Sequence, residues 1–227
     1  MKTITLSLLL LGFAASALAV DKVELDNRIR TLTARFDAIQ QKPDKRISAD
    51  NLNKAQGIIL LDRTKAGFLF AYQGGSGVAM VKDPKTETWS PAAFLDANEA
   101  SLGFQIGGQQ AFVVILLMDA NAIRLLTEPN FEFGGEARGT AGDSSAGEEA
   151  SVSKTSASVL VYVDRKGLYG GAAIKGGAIS PSDEANRIYY EQALTMQDIL
   201  FKQRVKPTET MTELIKRLTE HSNVAKK

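Results

Sequence analysis

The sequence predicts an α+β domain: a mainly antiparallel sheet curled into a barrel or sandwich, with helices at the N- and C-terminal ends. Three observations predict it. Apolar residues recur at helical spacing near both ends. Short apolar runs bounded by glycine and polar residues fill the middle. The runs are joined by short turns with no intervening crossover helix, which favours antiparallel pairing.

Residues 1–19 have the layout of a secretory leader, with Lys2, an apolar run from Ile4 to Ala15, and Ala17-Leu18-Ala19 as the cleavage site. Charge returns at Asp21 and Lys22, so the run falls short of the about 20 apolar residues of a membrane span. The mature chain is expected to begin at Val20, after cleavage at about Ala19/Val20, and to be periplasmic or secreted.

Within residues 20–46, Leu25, Ile29, Leu32, Phe36 and Ile39 fall on one helical stripe. Acids and bases balance on the rest of this helix, so it lacks the basic face of an interfacial helix; docking on the core or pairing with another helix is the expected use. Pro43 ends it. Ala49 to Gln56 reads as a short helix. Three apolar runs follow, Gly57–Leu61, Gly67–Tyr72 and Gly77–Val81, with Asp62–Lys65 and Gly74–Ser76 as turns between them.

Thr86 to Ser90 is expected to be a strand, Pro91 to Ala97 a loop or helical turn, and Ser101 to Leu117 one long strand bulged at Gly107-Gly108. Asp119 to Leu126 reads as a short helix, and Phe131 to Phe133 as a strand. Gly139 to Glu149 has the composition of a surface loop. Ser156–Val163 and Leu168–Ile174 form a hairpin pattern around Asp164–Gly167. Helices are expected at Asp183–Tyr190 and Thr195–Phe201. Another follows Pro207, with Met211, Leu214, Ile215 and Leu218 on one face and Thr210/Glu213 at capping-box spacing. The chain thus divides into a leader (1–19), an amphipathic helix (20–46), a strand-rich domain (47–205) and a C-terminal amphipathic basic helix or tail (206–227).

Catalytic chemistry finds little support. Cysteine is absent, so there is no thiolate nucleophile, disulfide or acylated cysteine. His221, the one histidine, lies near the C-terminus, where an exposed helix-end position is expected rather than a triad or zinc site. Gly74–Gly77 and Gly103–Gly108 lack the lysine and following helix of a phosphate loop. Asp143, Glu148 and Glu149 sit in a loop-like stretch and read as solvated. Trp89, Phe94 and Phe104 read as core or sheet-face residues. No catalytic residue, cofactor or metal is assigned.

Charge is unevenly placed. Val20–Arg46 sums to +2, Ile47–Phe201 to −6 and Lys202–Lys227 to +4. The acidic sheet region argues against nucleic acid, and the basic tail is the part suited to an anionic surface.

Six segments in order resemble the SYLF family: Ala55-Gln56-Gly57-Ile58, Gly75-Ser76-Gly77-Val78, Trp89-Ser90-Pro91, Gly103–Gln109, Lys166–Gly171 and Asn186-Arg187-Ile188-Tyr189-Tyr190. The resemblance spans about Asn51 to Tyr190. It implies a non-enzymatic domain that binds phospholipids, phosphoinositides in eukaryotic members.

The leading expectation is therefore a non-catalytic phospholipid-binding module of the bacterial cell envelope, associating peripherally with anionic lipids. Lys202, Arg204, Lys206, Lys216, Arg217, Lys226 and Lys227 are its expected lipid contacts. On the C-terminal helix, Lys216 and Arg217 flank the apolar face and could snorkel toward headgroups, or remain solvated while Leu214 and Leu218 pack on the domain. The alternative is a structural or protein-interaction module acting through its terminal helices, with a second copy or an envelope protein as partner. No actin partner is expected, because the modules that eukaryotic members use for actin are missing and an exported bacterial-type chain meets none.

Overall fold

The structure, a computed structural model, describes residues 20–43, 45–66, 71–101, 109–129, 131–132, 148–150, 159–166 and 178–223. In chain order these form α1 (Lys22–Gln40), α2 (Ala49–Lys54), β1 (Gly57–Ala66), β2 (Ala71–Val81), β3 (Ala93–Ser101), β4 (Gln109–Leu117) and α3 (Ala120–Arg124), the last extended by a 3-10 turn (Leu125–Thr127). After them come β5 (Phe131–Glu132), β6 (Glu148–Ala150), β7 (Val159–Lys166), β8 (Ala178–Pro181), α4 (Asp183–Tyr190), α5 (Met196–Leu200) and α6 (Glu209–Asn223).

All the described strands join one antiparallel sheet in the order β5-β8-β3-β2-β1-β4-β7-β6. The predicted α+β class, antiparallel pairing and terminal helices hold. Among the described residues the sheet is open, and each face is covered by helices rather than by closure or a second sheet.

Period-two alternation explains the layering. Ile58, Leu60, Val78, Met80, Phe94, Phe112, Val114 and Leu116 face one way, under α1, α2, α4 and α6. Ile59, Leu61, Ala79, Val81, Leu95, Val113, Ile115 and Leu117 face the other way, under α3 and α5. Burial on both faces is why β1 and β4 read as continuous apolar runs instead of alternating ones.

Several local expectations change. Asp62–Lys65 and Gly74–Ser76 are not turns; β1 and β2 run through them with Asp62 opposite Ser76. Asp62 is tolerated there because Arg35 of α1 pairs with it at 3.0 Å. Gly77 passes so close to β1 that a Cβ would collide with the Leu60 carbonyl oxygen, which is a packing reason for glycine in mid-strand.

Thr86–Thr88 form no strand, and only the bridge between Lys82 and Trp89 remains. Strand β3 already begins at Ala93, inside the predicted loop, because Ala93, Phe94 and Leu95 bury on alternate faces. It ends at Ser101, and β4 begins at Gln109. The predicted bulge at Gly107-Gly108 and the aromatic Phe104 lie outside the described residues. Asp164–Lys166 continue β7 instead of turning, with Asp164 opposite Phe112. Lys42 and Lys45, from the turn after α1, both hold Asp164. Burial opposes its charge, but the hydrogen bonds from these two lysines prevail and hold its pKa below the ordinary range. Glu148 and Glu149 belong to β6; Asp143 and the strand predicted at Leu168–Ile174 lie outside the described residues.

Candidate functional site

The α1 stripe is spent on the core: Leu25, Ile29, Leu32, Phe36 and Ile39 are all buried. So is the α6 face, with Met211, Leu214 and Leu218 buried and Ile215 packed beside them. The two helices lie side by side and parallel, since Asp26 neighbours Thr208 through Tyr189 at one end while Asp37 meets Arg217 and His221 at the other.

Each end of this pair is tied by polar groups. Tyr189, buried on α4, donates to Asp26 Oδ1 at 2.7 Å, and the Thr208 hydroxyl donates in turn to the Tyr189 oxygen at 2.7 Å. Burial pushes the phenol pKa well above its usual range, so the donor proton stays in place. Thr208 Oγ1 accepts the Met211 amide at 3.4 Å and caps α6. The predicted box at Thr210/Glu213 does not form: the cap lies two residues earlier, at Thr208, and Thr210 is already inside the helix and buried.

At the far end, His221 Nε2 lies 3.1 Å from Asp37 Oδ1 and its ring stands edge-on to Phe36. This corrects the exposed helix-end expectation: His221 is half-buried and engaged. Arg217 meets Asp37 at 3.5 Å, Glu213 at 2.9 Å and Glu220 at 3.4 Å. These carboxylates, Asp37 foremost, raise its pKa further.

Between the helices runs an open groove of about 630 Å³. Thr33, Ala34 and Thr210 contribute small side chains to it, and Arg30, Glu209, Glu213 and Lys216 supply charges of both signs. Thr33 donates its hydroxyl to Ile29 O at 2.8 Å. Thr210 is 6% exposed, and its hydroxyl has no hydrogen-bond partner among the described residues. Buried hydroxyls are ordinarily bonded to protein or to water.

Five of the seven predicted lipid contacts lie among the described residues. Lys202 and Arg204 follow α5 and share the carboxylate of Asp198, at 3.1 Å and 3.5 Å. Lys206 is exposed on the link to α6. Lys216 reaches Glu213 at 4.0 Å, and Arg217 is committed to its three carboxylates. Lys226 and Lys227 lie outside the described residues. Of the seven, Lys216 and Arg217 line the groove. Asp37, the α1 partner of Arg217, and Arg30, which lines the same groove, carry no site signal in the sequence, because nothing local to α1 reveals which helix lies beside it; the balanced charge of α1 is the available signal.

Among the described residues, the segments that carry the family resemblance make structural contacts. Asn186 Oδ1 accepts the Phe94 amide at 2.8 Å, and its Nδ2 donates to the Phe94 carbonyl at 3.3 Å, so one side chain stands in for a neighbouring strand. Tyr190 donates to Ala92 O at 2.6 Å. Ser90 Oγ accepts the Val81 amide and donates to Pro91 O. Lys82 lies over the Trp89 ring, 4.9 Å from its centre.

The family model described as "Ysc84: Las17-binding protein actin regulator" matches residues 98–221, more than half of the chain. The chain belongs to the Ysc84 (SYLF) family. Similar curated proteins include the SH3 domain-containing YSC84-like protein 1 of Homo sapiens, 31% identical over 182 residues, covering 78% of this chain and 53% of the relative. The Mus musculus protein of that name is 32% identical over the same length and shares. LAS seventeen-binding protein 3 of Saccharomyces cerevisiae is 31% identical over 177 residues, 76% of this chain and 38% of the relative. The chain thus spans about half the length, or less, of these relatives. No solved structure matches.

These findings overturn two expectations. The reading as a bacterial-envelope phospholipid-binding module gives way to one that follows Ysc84 relatives named for Las17 binding and a family described as actin regulators. The expectation of no actin-related partner falls for the same reason. There is also a physical reason: of the two uses open to the apolar face of α6, membrane contact or packing on the domain, the structure shows packing, with Met211, Leu214 and Leu218 buried. No described helix is long and apolar enough to cross a membrane, and no group of three or more His, Cys, Asp or Glu among the described residues is placed to hold a metal ion.

Proposed function

We propose that this Ysc84-family chain is a non-catalytic protein-binding module that contacts an actin regulator of the Las17 kind through the groove between α1 and α6. The observation that carries the site is the open groove between two helices, walled by charges of both signs, with the buried Thr210 in its lining. The names of the relatives supply the class of partner. Mixed charge suits a protein segment, which can answer both signs.

Titration of the full chain with yeast Las17, and co-pelleting with actin filaments, test the reading. Saturable binding to at least one is expected. Ala34→Arg, which fills the groove from an exposed position, should weaken it about ten-fold without moving the melting temperature. Binding to neither protein overturns the function; binding that ignores Ala34→Arg overturns the site.

As a competing reading, residues 1–19 are proposed as a removable leader that sends the chain to the periplasm or the exterior, away from an actin-related partner. In support, Val20 packs at the edge of the core, and Asp21 caps α1 by accepting the Glu24 amide at 2.7 Å. The intact mass of the chain recovered from expressing cells checks it, and retention of residues 1–19 would contradict it.

A further inference from the structure

We infer that the turn between α5 and α6, Phe201 to Lys206, is a second docking point, built for an acidic peptide segment that carries an apolar side chain. Phe201 is 40% exposed and, with Val23, is one of the two exposed large apolar side chains among the described residues. Lys202, Arg204 and Lys206 follow it within five residues, and all three are exposed. This combination of a bare aromatic with neighbouring cations is independent of the α1–α6 groove.

The turn holds these groups in place. The Phe201 and Lys202 amides both donate to Gln197 O at 3.1 Å, and the Arg204 amide donates to Asp198 O at 3.0 Å. Gln203 takes the left-handed conformation, φ 46°, that reverses the chain. Val205 then packs on the core below.

Asp198 is the anchor. Its carboxylate caps α5 by accepting from Thr195 Oγ1 at 2.8 Å and the Thr195 amide at 3.1 Å. The same group meets Lys202 and Arg204 from beneath. One carboxylate meets two cations, and the exposed Lys206 adds a third to the turn, so the turn carries surplus positive charge. Since the fold already fixes the backbone, less ordering is left for binding to offset. An incoming carboxylate can pair with Arg204 or Lys206, while an aliphatic side chain covers Phe201. A membrane surface is the poorer fit: a single exposed aromatic gives little to insert, and the neighbouring α6 keeps its apolar face inside.

The test uses the full chain and a fluorescein-labelled glutamate-rich peptide containing one leucine. Its glutamine counterpart and phosphatidylserine-containing vesicles serve as competitors. The acidic peptide should bind at low salt and weaken as salt is added. Lys206→Glu with Arg204→Glu should reduce its affinity about ten-fold, and Phe201→Ala about three-fold with the salt dependence unchanged. Because Arg204→Glu places a second carboxylate beside Asp198, Lys206→Glu alone is run as well; a loss there with an unchanged melting temperature supports the proposal. Equal binding of the glutamine peptide, no loss in Lys206→Glu, or preferential capture by the vesicles would overturn it.

Discussion

The Tyr189 hydroxyl lies 2.7 Å from Asp26 Oδ1 and 2.7 Å from Thr208 Oγ1, so one side chain on α4 joins the start of α1 to the start of α6. Groups 163 positions apart in sequence are thereby fixed at one end of the groove.

Tyr189→Phe removes this junction while keeping the ring in the core against Phe94. Asp26 and Thr208 each lose a partner, so the expected loss is about 1–3 kcal/mol in urea unfolding. Asn186→Ala should cost a similar amount or more, since it leaves the buried Phe94 amide without its acceptor, while the Phe94 carbonyl keeps the Ser182 amide at 3.0 Å.

Gly77→Ala should destabilise by about 1–3 kcal/mol or more, because the obstacle to its Cβ is the β1 backbone and not a movable side chain. Thermal unfolding checks this. Ala79→Gly, on the same strand, has no such clash to relieve and serves as the comparison.

For α6 the structure separates core from surface. Leu214 is buried, so Leu214→Ala should cost about 2–5 kcal/mol with no lipid or partner present. Lys216→Glu should change stability by less than about 0.5 kcal/mol, since Lys216 is exposed and only loosely paired. Denaturant titration of both variants distinguishes these outcomes.

Much of this was legible from spacing. The stripe from Leu25 to Ile39, the face from Met211 to Leu218 and the run from Asp183 to Tyr190 each specify a helix and its buried side, because 3.6-residue periodicity is a local property. Strand limits were less legible. Asp62 and Gly74–Ser76 look like turns in isolation and are strand only because Arg35 and the neighbouring backbone complete them. The groove was not legible at all: its walls come from the two ends of the chain, and the pairing of Asp37 with Arg217 is visible only once α1 and α6 are seen to be parallel. Nor does sequence distinguish the buried Thr210 from the Thr208 that caps the helix.

Acid should loosen the same fold through Asp198 and Asp164. The Thr195 hydroxyl and amide and then Lys202 hold the Asp198 pKa below its ordinary value, and Asp164 is depressed as well. A carboxylate whose native pKa is lowered binds protons more readily when unfolded. Its stabilisation is therefore full above about pH 4 and is lost as the pH falls through the depressed native value. The melting temperature should decline across that window, and Asp198→Asn should make the decline shallower.

The most direct measurement of the central claim exploits the absence of cysteine from the chain. Ala34→Cys, exposed at the groove, and Asn53→Cys, exposed at the end of α2, are each labelled with an environment-sensitive fluorophore and titrated with Las17. The account predicts a saturable blue shift at position 34 and none at position 53. Binding detected by calorimetry with no change at position 34 would contradict it.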